Sequence, residues 1–569
     1  MSYKKCYASP LGKNKWKIHL WDEGGYDEVE WWNPAYIECS KEESTNRGIN
    51  GEYLKKIYNW DKDNPNLHFH DMKPYQKFLI EKYGTDDTPS TGHRELFFDI
   101  ECEIGGALTE EYIESAPMPI TSIAWWDKTP DNWAILILDK KGQLNRTKAR
   151  NKEIIPCKTE AELLAKFLER FKEIDPDILI GYNSDFFDIP YLYHRMCNVL
   201  GKEWADQLSV LGKVSSKKYD KYFFLQNQFV DIVGVESLDY MRLHKKYSWK
   251  DEPSWKLDSI GEKYAGVNKI EYEGNLDQLF ETDIHKFIQY NFRDVEILKL
   301  LDEKLQYIAL TKNLSHKGKH NYSEVYANSR TQDGAISAYL LSQNIIPPAK
   351  DRNPLHKKNY AGGYLFCPKA GLYKYMFDED LTSLYPSIIM TVNIGKETLV
   401  GRILDADDRN NRLGLNDLKA KDPDEELIIE NSTRTKRTRI KVSDLVELIQ
   451  ESNFSLSANG VFFRTDKESV LSTILKKWFQ ERVDYKNKMK TAYKAGDTEK
   501  GEYYHLMQYT MKILLNSLYG ATALGSFRYG NVILSEAITL SGQRIIQESA
   551  LAANRHMNKV IKGEVKLDI

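Results

Sequence analysis

The spacing of hydrophobic and polar positions changes several times along the chain, which indicates more than one domain. Residues 1 to about 93 contain short alternating runs rich in aromatic residues, such as that from Trp16 to Trp21. Such runs predict strands, packed here against one or two helices. The polar segment from Asp86 to Gly92 is typical of a linker. We therefore expect a small amino-terminal domain before a second domain begins.

From residue 95 onward, the pattern alternates between short apolar strands and an amphipathic helix. Alternating or continuous apolar runs predict strands over 95–101, 119–124, 133–138 and 177–181. A helical period appears between residues 160 and 171. Strands and helices in this order are typical of an α/β domain.

Several acidic side chains in this region lie at positions where α/β domains often bind ligands. Asp99 and Glu101 lie two apart in a predicted strand, so their carboxylates share one face. Asp188 follows a buried strand at a helix start, where open α/β sheets bind ligands. Tyr290 and Asp294 lie four apart on one face of a predicted helix. Asp188 also fits an ordinary helix cap, and Asp294 a solvated helix acid. Together they are candidates for a metal site.

A second acidic position lies in the stretch from Tyr375 to Ile388. The pattern predicts a short apolar strand that brings Asp380 to a tight turn, after which Tyr385-Pro386 opens a helix. A carboxylate at a strand end, followed by backbone groups and an aromatic side chain, suits the binding of a divalent ion and a triphosphate. Taken alone, this stretch also fits an ordinary strand-to-helix corner.

Two long helices are predicted towards the carboxyl end. Thr465-Asp-Lys-Glu468 has the pattern of a capping box that opens a helix to about Ala495. Gly496-Asp-Thr498 ends that helix and starts another, which runs to Tyr519. Asn459-Gly460 predicts a hairpin turn just before the pair. We expect the two helices to pack antiparallel.

Composition and charge narrow the function classes. The chain of 569 residues is 41% hydrophobic and 29% charged, as in ordinary globular protein, and its formal charge of -3 argues against a histone-like binder. Six scattered cysteines form no Cys-X-X-Cys pair and predict reduced core residues. The charged stretch 402–440, including Asp405-Ala-Asp407, predicts solvated surface loops. No apolar run reaches membrane length, so we expect a cytoplasmic protein that binds no membrane.

The acids between residues 95 and 300 are similar in order and surroundings to the three exonuclease motifs of proofreading DNA polymerases. The resemblance implies that Asp99, Glu101, Asp188 and Asp294 bind two Mg²⁺ or Mn²⁺ ions. It also implies that Tyr290 orients the attacking water. The expected reaction is hydrolysis of a phosphodiester at the 3′ end of single-stranded DNA.

Asp380-Leu-Thr-Ser-Leu-Tyr-Pro-Ser387 resembles the first polymerase motif of B-family DNA polymerases, particularly the replicative enzymes of large tailed bacteriophages. The resemblance implies a palm strand whose Asp380 binds one or both of two Mg²⁺ or Mn²⁺ ions. It implies that Leu381 offers its carbonyl oxygen to a metal and that Tyr385 lies under the incoming sugar.

Two further stretches resemble motifs of the same family. Lys512-Ile-Leu-Leu-Asn-Ser-Leu-Tyr-Gly520 matches its second polymerase motif, and Asn359-Tyr-Ala-Gly-Gly-Tyr364 its linker motif. The resemblance implies dNTP-binding residues on faces of the two long helices, namely Arg482, Lys486, Lys512, Asn516 and Tyr519. It implies that the linker contacts primer-template DNA through Tyr360, Gly362 and Gly363.

The expected fold class is α+β and multidomain, with an RNase H-like exonuclease domain, a partial palm with an antiparallel sheet, and two-helix fingers. The expected domains are an amino-terminal domain over 1–93 completed by about 308–352, an exonuclease domain over 94–307, a first palm part over 353–460, fingers over 461–524, and a truncated second palm part over 525–569.

Because of one departure from the family pattern, three functional classes stay open. The third polymerase motif, which supplies another palm carboxylate, does not follow Gly520, and we expect it, the thumb and any sliding-clamp contact on a second chain. The main hypothesis is therefore the amino-terminal part of a DNA-templated DNA polymerase with 3′–5′ proofreading. A stand-alone exonuclease and a nucleic-acid-binding regulator without polymerase chemistry stay open.

Overall fold

The computed structural model describes residues 2–103, 105–216, 230–248, 251–351, 361–367, 369–372, 380–381, 383–404 and 413–562. The chain forms two compact units. The first comprises Met1–Pro34, Tyr58–Trp60 and Met72–Ala338, and the second comprises Ala35–Ile57, Asp61–Asp71 and Tyr339–Ile569.

The strands belong to several separate sheets. In chain order they are β1 Tyr3–Gly12, β2 Lys15–Asp22, β3 Gly25–Trp32, β4 Ala35–Glu38, β5 Asn46–Gly48, β6 Tyr53–Ile57, β7 Glu95–Cys102, β8 Ile120–Asp127, β9 Asn132–Leu138, β10 Thr147–Ala149, β11 Lys152–Cys157, β12 Ile178–Gly181, β13 Val214–Ser216, β14 Val230–Ile232, β15 Glu236–Asp239, β16 Ile345–Ile346, β17 Leu399–Ile403, β18 Glu426–Asn431, β19 Arg437–Lys441, β20 Ser455–Leu456 and β21 Val461–Phe463.

The α-helices are short in the first unit, with one exception, and long near the carboxyl end. In chain order they are α1 Pro74–Tyr83, α2 Glu110–Ser115, α3 Glu160–Ile174, α4 Asp188–Val199, α5 Lys202–Ala205, α6 Tyr240–Tyr247, α7 Leu257–Ala265, α8 Leu276–Thr282, α9 Ile284–Leu305, α10 Tyr307–Gly318, α11 Asn328–Ser342, α12 Leu384–Val392, α13 Leu415–Lys419, α14 Val442–Glu451, α15 Val470–Lys494, α16 Thr498–Thr522 and α17 Val532–Ile561. Within these residues, no helix is long and apolar enough to cross a membrane.

The first unit is built on a mixed seven-stranded sheet of order β10-β11-β9-β8-β7-β12-β15. The central strand β7 pairs antiparallel with β8 and parallel with β12. Phe98 and Ile100 of β7 enter a hydrophobic core that also contains Phe167 of α3. Because side chains alternate along a strand, Asp99 and Glu101 are left on the opposite face, where α9 packs. The prediction of an α+β chain is confirmed.

The second unit contains a five-stranded antiparallel sheet of order β19-β18-β17-β21-β20. The charged stretch 402–440 was predicted to form solvated loops, and this prediction is wrong for β17, β18 and β19. Leu427 enters a small core with Ile429 and Ile440 packed against it, while the arginines between them face solvent. The charged residues on the exposed face therefore obscure the alternation of apolar and polar positions from which a strand would be predicted. Asp405-Ala-Asp407 lies outside the described residues.

The helical hairpin α15–α16 matches the predicted pair except at its start. The predicted cap Thr465 donates to the Asn453 carbonyl instead, and the helix begins after Ser469. Ser469 Oγ accepts the Ser472 N–H at 3.0 Å. At the other end, Gly496 adopts φ 77°, a left-handed conformation that suits glycine, and allows the sharp connection into α16. The hairpin turn predicted at Asn459-Gly460 joins β20 and β21 and is confirmed.

The cysteines were predicted to be reduced core residues. All six are free thiols, and Cys6 and Cys157 are buried. Cys367 is exposed, so the core prediction is wrong there, and the other three are partly buried.

Candidate active sites

Four predicted acids of the first unit meet beside strand β7. Carboxylate oxygens of Asp99, Glu101 and Asp294 all lie within 4.8 Å of one another. The fourth acid, Asp188, is the first residue of α4, and its Oδ1 accepts the Ile100 N–H at 3.2 Å. The sheet makes this possible because β7 and β12 are parallel neighbours, so the loop after β12 reaches the end of β7.

Tyr290 and Asp294 come from the 22-residue helix α9. They lie one turn apart, which turns both side chains to the same side of the helix. Tyr290 Oη accepts a hydrogen bond from Lys269 Nζ at 3.0 Å, and Asp294 Oδ2 lies 2.5 Å from the same nitrogen. The structure thus brings every acid and the phenol predicted for this site into one cluster.

Burial and mutual repulsion dominate the electrostatics of this cluster. Burial, followed by the charges of Asp294, Glu101 and Asp188, raises the pKa of Asp99 well above its usual range. Burial is also the main cause that raises the pKa of Glu101 to about 8, of Asp188 to about 7 and of Asp294 to about 6. Ionised together, these groups need a cation.

The donor set fits a divalent cation. Hard divalent ions prefer carboxylate oxygens, and four such groups converge here. Asp294 Oδ1 is buried and has no hydrogen-bond partner within the described chain. A buried acceptor of this kind is unfavourable unless a ligand fills it. Asp99, Glu101, Asp188 and Asp294 are thus the residues that would hold metal.

Sequence reasoning missed two residues of this site. Lys269 lies in the irregular segment after α7, and nothing in its local pattern marks it as the partner of Asp294. Asn291 is fully buried, and its Nδ2 donates to Asp99 Oδ2 at 2.6 Å while its Oδ1 accepts from Ser122 Oγ at 2.9 Å. Asn291 lies three residues before Asp294, and this spacing was a usable signal.

The second unit contains part of the predicted polymerase site. Asp380 and Leu381 are both exposed, whereas the strand predicted to lead into Asp380 and the linker residue Tyr360 lie outside the described residues. The helix predicted to open at Tyr385-Pro386 is α12, which starts at Leu384.

The ring of Tyr385 lies at the centre of a tightly packed contact. Its centroid is 4.4 Å from that of Tyr519 on α16. A Cβ atom added to Gly363 would lie 3.3 Å from Tyr385 Oη, and one added to Gly542 would lie 3.0 Å from the ring. Glycine at both positions thus permits the close approach. The carbonyl of Gly362 accepts from Gln543 Nε2 at 2.5 Å, so the predicted linker glycines lie beside Tyr385.

Positive charges cluster on the hairpin α15–α16. Arg482 Nε is buried and has no hydrogen-bond partner in the described part of the chain, and burial lowers the pKa of that guanidinium. The charge of Arg482, then burial, then the charges of Lys490 and Lys512 lower the pKa of Lys486. The predicted cations are therefore neighbours, and Lys490 joins them. Lys490 lies four residues after Lys486, which is a helical spacing that could have identified it.

Asn516 is exposed on α16, one turn after Lys512. A polyanion held against these cations would relieve their repulsion. The triphosphate of a nucleotide is such a ligand. The structure thus brings Arg482, Lys486 and Lys512 together and sets Tyr519 against Tyr385.

Two family models match the chain. The exonuclease domain of DNA polymerase family B matches residues 34–260, and DNA polymerase family B matches residues 326–568. Similar proteins include the "DNA-directed DNA polymerase" of Escherichia phage RB69, which is 28% identical over 461 residues, covering 72% of this chain and 47% of the relative. The "DNA-directed DNA polymerase" of Enterobacteria phage T4 is 28% identical over 454 residues, covering 71% and 47%.

The similarity is not limited to phage proteins. The "DNA polymerase" of Pyrococcus glycovorans is 25% identical over 499 residues, covering 84% of this chain and 53% of the relative. The chain spans about half the length of the curated relatives it matches. Since the two family models together cover well over half of its residues, the chain belongs to DNA polymerase family B.

Proposed function

We propose that the chain is the exonuclease and nucleotide-binding part of a DNA-templated DNA polymerase with 3′–5′ proofreading. The observation that carries the proposal is the convergence of Asp99, Glu101, Asp188 and Asp294 on one largely buried site, where Asp294 Oδ1 has no hydrogen-bond partner among the described residues. Membership of family B and the similarity to phage polymerases support it.

In the exonuclease step, a water oxygen attacks the phosphorus of the terminal phosphodiester, and the bond from phosphorus to the 3′ oxygen of the penultimate nucleotide breaks. A nucleoside 5′-monophosphate leaves, and the shortened strand keeps its 3′ hydroxyl. Tyr290 orients the water through its hydroxyl, which Lys269 holds at 3.0 Å. Two bound Mg²⁺ or Mn²⁺ ions would supply Lewis acidity at the phosphate and neutralise charge.

In the synthetic step, the 3′ hydroxyl of the primer attacks the α-phosphorus of a deoxynucleoside triphosphate and pyrophosphate leaves. Arg482, Lys486 and Lys512 hold the β- and γ-phosphates, where their charges oppose the developing negative charge. Tyr385, supported by Tyr519 at 4.4 Å, lies under the sugar. Asp380 and the Leu381 carbonyl would hold metal.

The exonuclease assignment has a direct test. The full chain, incubated with 5′-labelled single-stranded DNA and Mg²⁺, should shorten the DNA from its 3′ end. A double variant carrying Asp99→Ala and Asp294→Ala should lose this activity, whereas the exposed control Glu169→Gln should keep it. Shortening that persists in the double variant would reveal a contaminant and refute the assignment.

The finer proposal is that nucleotide addition needs a partner polypeptide that carries the third polymerase motif and thumb. One carboxylate, Asp380, and one carbonyl oxygen are too few protein ligands to fix two ions for in-line transfer. Primer extension should be absent with this chain alone and appear when such a partner is added. Robust extension by the chain alone would contradict the proposal. Exonuclease activity with no extension in either case would favour a stand-alone exonuclease.

A further inference from the structure

The loop between β12 and α4 carries Asp188, and it is fixed from outside the carboxylate cluster. Asn183, with φ 63°, turns the chain sharply after the strand. The backbone N–H groups of Asn183 and Asp185 both donate to the Asp239 carboxylate, at 3.0 and 3.3 Å. Asp239 is the last residue of β15 and pairs with Gly181 in the parallel ladder. One buried acid therefore ties the loop to the neighbouring strand.

A second buried acid completes the attachment. The side chain of Asp185 is 0% exposed, and its Oδ2 lies 2.5 Å from Nη1 of Arg242, on α6. Ser237 Oγ donates to its other oxygen at 2.6 Å. The Arg242 guanidinium lies over the ring of Tyr326 at 3.8 Å, and Tyr326 Oη accepts the Asp239 N–H at 3.1 Å. The five residues form a closed set of contacts, which we name the Asp185 cluster.

A buried ion pair is by itself weak evidence of stabilisation. Replacing a buried ion pair with uncharged groups of similar size is often neutral for stability, so such a pair is better explained by the geometry it imposes. The geometry here is the path of the loop up to Asp188. That path determines whether Asp188 Oδ1 stays 3.2 Å from the Ile100 N–H, beside the acids of β7.

We propose that Asp185, Asp239 and Arg242 are positioning residues that hold Asp188 in place as a metal ligand. The proposal rests on the exonuclease function proposed above. Outer residues that orient metal ligands typically contribute 10–100-fold to metal affinity. Loss of the Asp185–Arg242 pair should therefore weaken divalent-cation binding by about tenfold or more.

Three variants of the full chain test the proposal. Arg242→Gln and Asp185→Asn each remove one charge, and the double variant removes both while keeping polar groups of similar shape. The double variant removes both members of the Asp185–Arg242 ion pair, so it should destabilise the fold less than a single variant that leaves one of the two charges unpaired. Because all three break the same contact, the double variant should weaken binding about as much as each folded single variant.

The measurement is Mn²⁺ binding by isothermal titration calorimetry, with melting temperature recorded in parallel. The exonuclease component is the binding that disappears in Asp294→Asn. Arg330→Gln is the matched control, because Arg330 pairs with Glu324 at 2.9 Å in the same unit, with side chains 19% and 15% exposed. It should lower the melting temperature and leave the Mn²⁺ affinity unchanged.

The outcomes separate the two proposals. Weaker Mn²⁺ binding in the folded Asp185 and Arg242 variants, together with unchanged Mn²⁺ affinity in Arg330→Gln, supports the positioning role. Wild-type affinity in the double variant, or equal weakening in the control, would overturn it while the exonuclease function stands. If the wild-type chain binds no Mn²⁺ that Asp294→Asn removes, the exonuclease function itself fails.

Discussion

Asn291 offers the sharpest test of how the exonuclease carboxylates are held. It is fully buried and links Ser122 to Asp99 by hydrogen bonds of 2.9 and 2.6 Å. Asn291→Ala leaves two buried groups without these partners, each at a cost of about 1–3 kcal/mol in the free energy of unfolding. It also frees the Asp99 carboxylate to leave its position beside Glu101.

The same substitution should also weaken metal binding at the site. Loss of a residue that orients a metal ligand typically weakens metal affinity by about 10–100-fold, or roughly 1.4–2.7 kcal/mol. We expect the Mg²⁺ concentration that gives half-maximal hydrolysis of single-stranded DNA to rise by at least about tenfold. Ser122→Ala keeps the hydrogen bond between Asn291 and Asp99, so it should raise this Mg²⁺ concentration less.

The assay is a Mg²⁺ titration of single-turnover DNA hydrolysis, paired with urea unfolding. Asn313→Ala is the control, because Asn313 is a buried asparagine of the same unit that donates to the Ala309 carbonyl at 2.9 Å. It should lower stability and leave the Mg²⁺ dependence unchanged. An Asn291→Ala protein that is destabilised but keeps the wild-type Mg²⁺ dependence would refute the reasoning.

Three further predictions follow from other parts of the chain. Ser469→Ala should lower the free energy of unfolding by about 1 kcal/mol through loss of the α15 cap, and Thr465→Ala by less, as urea unfolding would show; equal losses would contradict the cap assignment. Burial lowers the pKa of His320 to about 4, compared with about 6.5 in the unfolded chain. Below pH 6.5 the unfolded chain therefore binds a proton that the folded chain does not bind. Between pH 7 and 5 this should cost about 2 kcal/mol of stability, and His320→Asn should lose that part of the pH dependence; an unchanged pH profile would exclude it. Lys490→Gln should weaken triphosphate binding about two- to fivefold in a titration, whereas Lys494→Gln, at an exposed position one turn further on, should not. Equal weakening by both variants would mean that the overall charge of the helix, and not the position of Lys490, determines the effect.

The sequence by itself determined the elements that carry the chemistry. The two-residue spacing of Asp99 and Glu101 placed both acids on one face of β7, and the four-residue spacing of Tyr290 and Asp294 placed them on one side of α9. These spacings work because a strand and a helix repeat with fixed periods, so neighbours on one face can be read from the chain. Asp188 was likewise identified from its position after a buried strand.

The tertiary structure decided which groups complete the sites. Lys269 reaches Asp294 across 25 positions, and Arg242 reaches Asp185 across 57, without any local pattern that marks either pair. The start of α15 at Ser469 was also decided by context, since Ser469 Oγ donates to the Ile394 carbonyl at 3.0 Å as well as capping the helix. Periodicity determines which side chains share a face, but contacts between distant segments depend on how the sheet and helices pack.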